Sequence, residues 1–157
     1  PRSIRFGAKA ELFKIPIFGL ALRRLGILEI DRGDRPKAIK TLQLAGEKIR
    51  SGQAYIFAAE GTRQDEDAIG EFKSGPFILA IESRVPLVPV VISGARDVLS
   101  KSELLFHLEK RHIVHVEVLK PIVTESCDLD KRQELKGLVR SLMVNSFEKL
   151  KKSRLMD

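Results

Sequence analysis

Ala54-Tyr55-Ile56-Phe57-Ala58-Ala59-Glu60-Gly61-Thr62-Arg63 is the stretch from which the rest of the chain can be ordered. Ala54 to Phe57 is a short apolar run of the kind that forms a buried strand. It opens into a polar loop where a carboxylate, a glycine, a hydroxyl and a guanidinium follow one another. In open α/β sheets, ligands bind just beyond the carboxyl ends of strands. The planar guanidinium fork makes two parallel hydrogen bonds to a phosphate or carboxylate. The stretch therefore predicts an α/β fold with a site for a phosphorylated substrate.

Working outward, helical and strand-like segments alternate. Upstream, Ser3 to Ala8 and Ile27 to Ile30 read as strands. Pro36 to Arg50 reads as an amphipathic helix with Ile39, Leu42, Ala45, Gly46 and Ile49 inward, ended by Ser51-Gly52. Lys9 to Leu25 is densely apolar, with a helix expected from Pro16 to Leu25 and a stop at Gly26. That helix is expected in the core. The alternative reading rests it on an anionic membrane surface, since Lys14, Arg23 and Arg24 flank the apolar residues. Downstream, Gly61 to Gly75 is a polar loop and Pro76 to Ser83 a helix. Leu87 to Ile92 is a buried strand, in which Pro89 requires an edge or a bend. His112 to Leu119 alternates as a strand, and Asp128 to Lys152 is a long helix with Leu135, Leu138, Val139, Leu142 and Leu150 inward. This alternation predicts a mostly parallel mixed sheet flanked by helices on both faces, in one domain over residues 1–157.

Composition agrees with a globular chain that meets anions. Of 157 residues, 43% are apolar and 31% charged, with a net charge of +7. A basic balance favours nucleic acid, acidic headgroups or phosphorylated metabolites. One Tyr and no Trp leave little for base stacking, which argues against a nucleic-acid partner. Cys127 is the only cysteine, so no intrachain disulfide forms. No signal peptide is visible, and no run approaches the roughly 20 apolar residues that span a bilayer. The sequence begins at Pro1 without Met, so a fragment, a processed form or part of a longer protein is expected.

Arg32, Arg63 and Lys73 each lie in a polar loop after a strand or before a helix. In a parallel sheet, Asp31-Arg32 and Glu60 to Arg63 leave by the same edge. Lys73 leads into a helix whose N-terminus favours an anion. Glu60 would repel a phosphate. It either orients an arginine, accepts a hydrogen bond from a substrate hydroxyl, or stabilises the loop through a salt bridge. His107, His112 and His115 are the three histidines. On one strand His112 faces away from both Glu117 and His115, so neither a dyad nor a joint metal site is expected. His115 and Glu117 read as a surface pair. No dinucleotide fingerprint, phosphate-binding Walker loop or nucleophile elbow occurs. Ser146 and Lys149 match a Ser-x-x-Lys spacing only by chance on a charged helix. Asp65-Glu66-Asp67 begins like a calcium loop, but Ile69 stands where an oxygen ligand is needed.

These blocks, in this order, resemble the 1-acyl-glycerol-3-phosphate acyltransferases, the lysophosphatidate acyltransferases. The family's Gly-x-x-x-x-Asp-Arg corresponds to Gly26 through Asp31-Arg32, and its Phe-Pro-Glu-Gly-Thr-Arg to Ala58-Ala59-Glu60-Gly61-Thr62-Arg63. Phe72-Lys73-Ser74-Gly75 and Val85-Pro86-Leu87-Val88-Pro89-Val90, continuing to Ser93-Gly94, match two further blocks. So does the lead-in Ala8-Lys9-Ala10-Glu11-Leu12 before Ile15-Pro16. Ala58 and Ala59 replace the usual Phe-Pro, which leaves the loop entry less fixed in φ. The family's His-x-x-x-x-Asp motif is missing, since no histidine here has an aspartate five residues on.

The resemblance implies transfer of a fatty acyl group from acyl-CoA or acyl carrier protein to the free hydroxyl of lysophosphatidate, giving phosphatidic acid. It implies that Arg32 and Arg63 hold the phosphate with Lys73 assisting, that Glu60 positions the glycerol backbone, and that Gly61 and Thr62 belong to the same substrate site. Pro86 to Val90 would shape the pocket floor or the acyl path, or simply form a buried strand. The catalytic His and Asp are expected upstream of Pro1, so the domain is expected to be truncated at its N-terminus and inactive alone. No metal or bound cofactor is implied, and the cytoplasmic face of a membrane is the expected location. The same chemistry on glycerol-3-phosphate or another lysolipid is the near alternative. A non-enzymatic basic domain that binds nucleic acid is the distant one.

Overall fold

A computed structural model describes residues 4–31, 33–64, 66–99 and 112–154 of the chain. Strands β1 (Ile4–Lys9), β2 (Leu28–Ile30) and β3 (Ala54–Ile56) form a parallel sheet in the order β2-β1-β3. Gly7 pairs with Leu28 and Lys9 with Ile30, while Ile4 pairs with Ala54 and Phe6 with Ile56. All three strands thus point the same way, and β2 and β3 leave one edge on either side of β1. With neighbouring strands about 4.8 Å apart, β2 and β3 lie roughly 10 Å apart across β1, and their ends are staggered along it from Lys9 to Phe6.

A parallel pairing needs a crossover, and helix α2 (Arg35–Arg50) carries the chain from the β2 edge back toward the start of β3. The Asp34 side chain accepts from the Lys37 backbone N–H at 3.0 Å, and Pro36 occupies the first turn, so the start of α2 is capped. Beyond it, Gly52 takes φ +96°. Ala45 of α2 is fully buried against Leu28 and Leu79, with Leu42 and Ile49 beside them. Ile39 is exposed instead, which narrows the expected inward stripe by a turn.

The apolar segment before β2 departs most from expectation. A 3-10 turn, Ala10–Lys14, precedes helix α1 (Phe18–Arg24). The helix begins at Phe18 rather than Pro16, because Ile17 sits at φ +65° and breaks the helical path. Gly19 is buried, and a Cβ there would lie 2.1 Å from the Phe13 carbonyl oxygen. Helix α1 therefore docks backbone against backbone through its glycine. Ile17, Phe18, Leu20 and Leu25 are left exposed, so α1 is not the core helix expected.

Helix α3 (Gly75–Ser83) is the centre of the main core. Phe77 and Ile81 pack with Phe72, Leu135 and Val139, and the Phe72 and Phe77 rings stack at 6.0 Å. Arg84 ends α3 in the left-handed region at φ +52°. A second sheet pairs β4 (Val90–Ser93) and β5 (His115–Val118) antiparallel, and the short helix α4 (Ala95–Val98) follows β4. The strand expected from Leu87 begins only at Val90, after Pro89, which has no N–H to give to a ladder. Leu87 makes an isolated bridge to Ile122. Helix α5 (Arg132–Arg154) starts after a 3-10 turn at Leu129–Lys131. It buries Leu135, Val139, Ser146 and Phe147, while Leu138 and Leu142, expected inward, are exposed. They lie on a side of α5 that no described element covers.

Candidate functional site

The loop after β3 is closed at its neck. Gly61 donates its backbone N–H to the Ala58 carbonyl at 3.0 Å, forming a tight turn. Gly61 is buried at φ +76°, a conformation open to glycine at little cost. Lys73 donates its backbone N–H to the Ala59 carbonyl at 2.7 Å. The two ends of the segment between Ala59 and Lys73 are therefore side by side. The proline that the resemblance leads one to expect at Ala59 is not needed to hold this entry, because the Lys73 bond holds it.

Glu60 is half-buried and its Oε1 accepts from the Gly70 backbone N–H at 2.6 Å. Of the roles open at the sequence level, loop stabilisation is the one observed, through a backbone hydrogen bond rather than a salt bridge. Thr62, Arg63 and Lys73 are exposed around this neck. Below them Phe72 is buried in the core, and Ser74 precedes the first turn of α3. Glu60, Gly61, Thr62, Arg63 and Lys73 are thus gathered at one place beside a helix N-terminus. Two cationic side chains there, with the positive end of α3, favour an anion.

Arg32 lies outside the described residues, as does His107. The residues flanking Arg32 are ordered by local bonds. Asp31 Oδ1 accepts from the Gly33 N–H at 3.0 Å, and Lys37 Nζ sits 3.0 Å from Asp34 Oδ2. The Asp34 carboxyl is held below its ordinary value by the Lys37 backbone N–H and then by its side chain, and Lys37 is raised in turn by Asp34. The parallel order of β2, β1 and β3 puts the Asp31 and Glu60 loops on the same edge, as the sequence pattern requires.

The remaining candidates fall away from this edge. Glu117 accepts from the Ser146 hydroxyl and so joins β5 to α5. His112 precedes β5 rather than standing on it. Asp67 binds cations of α5, and among the described residues no three His, Cys, Asp or Glu side chains are grouped to hold a metal. Sequence reasoning missed Arg140 of α5. Its Nε and NH2 donate to the Gly70 and Ile69 carbonyls at 2.9 and 3.1 Å. No local signal marks a contact across 70 positions.

With this geometry in hand, the chain has clear relatives. The sequence model of a family described as Acyltransferase matches residues 1–93. The 1-acyl-sn-glycerol-3-phosphate acyltransferase of Saccharomyces cerevisiae is 33% identical over 146 residues, covering 91% of this chain and 47% of that protein. The chloroplastic 1-acyl-sn-glycerol-3-phosphate acyltransferase BAT2 of Brassica napus is 31% identical over 130 residues, covering 82% of this chain and 37% of that protein. The crystal structure of PlsC, the 1-acyl-sn-glycerophosphate acyltransferase of Thermotoga maritima, superposes with a TM-score of 0.75 at 27% identity. That superposition covers 94% of this chain and 56% of the PlsC chain. The chain spans less than half the length of the two curated relatives.

Proposed function

This chain belongs to the acyltransferase family, and from that premise we propose that it carries the acceptor-binding part of an enzyme that acylates lysophosphatidate. The observation that carries the reading is the 2.7 Å bond from Lys73 to Ala59, which brings the Lys73 block onto the Glu60–Arg63 block. Arg63 and Lys73 grip the phosphate, with Arg32 supplied from the loop after β2. Thr62 and the Gly61 turn line the same pocket. Glu60 shapes it by holding Gly70.

In this scheme the acceptor hydroxyl attacks the carbonyl carbon of an acyl-CoA or acyl carrier protein thioester. A C–O ester bond forms and the C–S bond breaks. The hydroxyl proton passes to the histidine of the His-x-x-x-x-Asp pair that the family resemblance implies outside residues 1–157, and then to the departing thiolate. The thioester is a co-substrate, and the reaction as written uses no bound cofactor. Acceptor and product are anionic lipids, so the work is done at an anionic membrane surface, on its cytoplasmic face. No helix among the described residues is long and apolar enough to cross a membrane.

Arg63→Ala in the full-length protein tests the assignment. Losing a charge-assisted contact worth about 1.5–3 kcal/mol lowers kcat/KM for lysophosphatidate roughly 10–150-fold. Unchanged kinetics removes Arg63 from the site. Assaying glycerol-3-phosphate and other lysolipids alongside identifies the preferred acceptor.

A further inference from the structure

The loop that carries Arg63 is tied to the body of the protein by cations from α5. Besides its two carbonyl bonds, Arg140 lies 3.6 Å from Glu71. Lys151 donates to the Asp67 carbonyl at 2.9 Å and sits 3.4 Å from its carboxylate. Arg154, only 14% exposed, donates to the Asp67 carboxylate at 2.8 Å and reaches Asp97 at 3.2 Å. Three basic side chains of one helix thus hold the Asp67 to Glu71 part of the loop, while Arg63 and Lys73 are exposed.

Within this brace, Gly70 has a particular place. Its N–H is held by the Glu60 carboxylate and its C=O by the Arg140 guanidinium. A Cβ added at Gly70 would meet the end of the Gln64 side chain at 2.7 Å. The Gly70 N–H and the Ile69 C=O, which also accepts from Arg140, belong to one peptide unit, and hydrogen bonds in a chain polarise one another, so the two ends of the Ile69–Gly70 peptide strengthen each other. We propose that Arg140 is a positioning residue for acyl transfer: from α5, through the Ile69–Gly70 peptide, it sets the pose of Glu60 and of the turn that presents Thr62 and Arg63. This inference rests on the acceptor-binding reading above. Arg140 itself touches no reacting atom.

A guanidinium meets two adjacent carbonyls with one planar fork, whereas an ammonium reaches them only as a point charge. Arg140→Met keeps the apolar stem and removes both bonds, and Arg140→Lys restores the charge without the fork. In the full-length protein, Arg140→Met is expected to raise the KM for lysophosphatidate roughly tenfold and leave the KM for the acyl donor in place. Arg140→Lys is expected to recover part of that loss. Amide exchange at Gly70, followed without any substrate, should accelerate by a similar factor in Arg140→Met. It should stay unchanged in Arg132→Met, a substitution at the start of the same helix. Unaltered Gly70 exchange in Arg140→Met overturns the proposal. So does a loss of activity that follows only the folded fraction and touches both substrates equally. Should Arg140→Met fail to fold, Arg140→Lys decides by the same two readouts. If the wild-type protein acylates no lysophospholipid, the acceptor-binding reading fails and the positioning role of Arg140 in acyl transfer with it, while Gly70 exchange still reports whether Arg140 holds the Glu60 loop.

Discussion

Phe72→Ala should unfold the site from beneath. Phe72 is 4% exposed, immediately precedes Lys73 and stacks on Phe77, which is 1% exposed, in the core shared with Ile81, Leu135 and Val139. Truncating a buried Phe to Ala costs about 3–5 kcal/mol, the sum of lost transfer free energy and the cavity left behind. About 0.5–1.5 kcal/mol of that belongs to the ring pair itself. A domain is stable by only about 5–15 kcal/mol, so this one change removes a large share. The melting temperature should fall by roughly 6–20 °C for a chain of this length. With one Tyr and no Trp, urea denaturation is best followed by far-UV circular dichroism. Phe72→Leu keeps most of the volume and should cost less than about 1.5 kcal/mol, leaving a folded protein for kinetics. A double-mutant cycle of Phe72→Leu with Phe77→Leu should return a coupling within the ring-pair range. A loss under about 1 kcal/mol in Phe72→Ala, with unchanged m-value, would refute the claim that this core anchors Lys73.

Gly61→Ala forces a Cβ into the left-handed region at φ +76° and should cost about 1–2 kcal/mol in urea denaturation. A neutral result would mean the turn does not hold that conformation. At Asp34 the folded carboxyl lies below its ordinary value, so its contribution is full above the unfolded pKa and is lost as pH falls through the folded one. For Lys37 the sign is reversed: its folded pKa is raised, so its contribution is lost as pH rises through that value. NMR titration should therefore place the Asp34 midpoint below that of an ordinary aspartate, and Asp34→Asn should abolish the acid-side fraying of the first turn of α2. An ordinary midpoint for Asp34 would contradict its bond to the Lys37 N–H.

Much of the edge that carries the site was legible in advance. The run Ala54 to Phe57, the amphipathic helix from Pro36 and the polar loop from Gly61 each follow from local chemistry. A short apolar run makes a strand, apolar residues at three- and four-residue spacing make a helix with one inward stripe, and a polar stretch with glycines stays a loop. Neighbouring strands joined through a crossover helix pair in parallel, as β1, β2 and β3 do, so the Asp31 and Glu60 loops leave by one edge, whereas β4 and β5 pair antiparallel. The burial of single faces was less legible. Ile39, Leu138 and Leu142 fit an inward period yet are exposed, because a period names a stripe on a helix and not how much of it another element covers. The apolar segment around α1 misled for a related reason. Within α1 the one buried residue is Gly19, whose missing side chain permits the close approach to Phe13, while Phe18 and Leu20 of the same helix are exposed.

By itself, then, the order of residues determined the α/β alternation and the residue types gathered in the Glu60-Gly61-Thr62-Arg63 turn, since each depends on neighbours within a few positions. Only the tertiary structure decided that Lys73 bonds to Ala59, that Glu60 holds Gly70 rather than another charge, and that Arg140 and Arg154 brace the loop from 70 or more positions away. Such bonds carry no signature along the chain. They exist because packing Leu135 and Val139 of α5 against α3 brings those side chains to the loop, and that packing is a property of the folded whole.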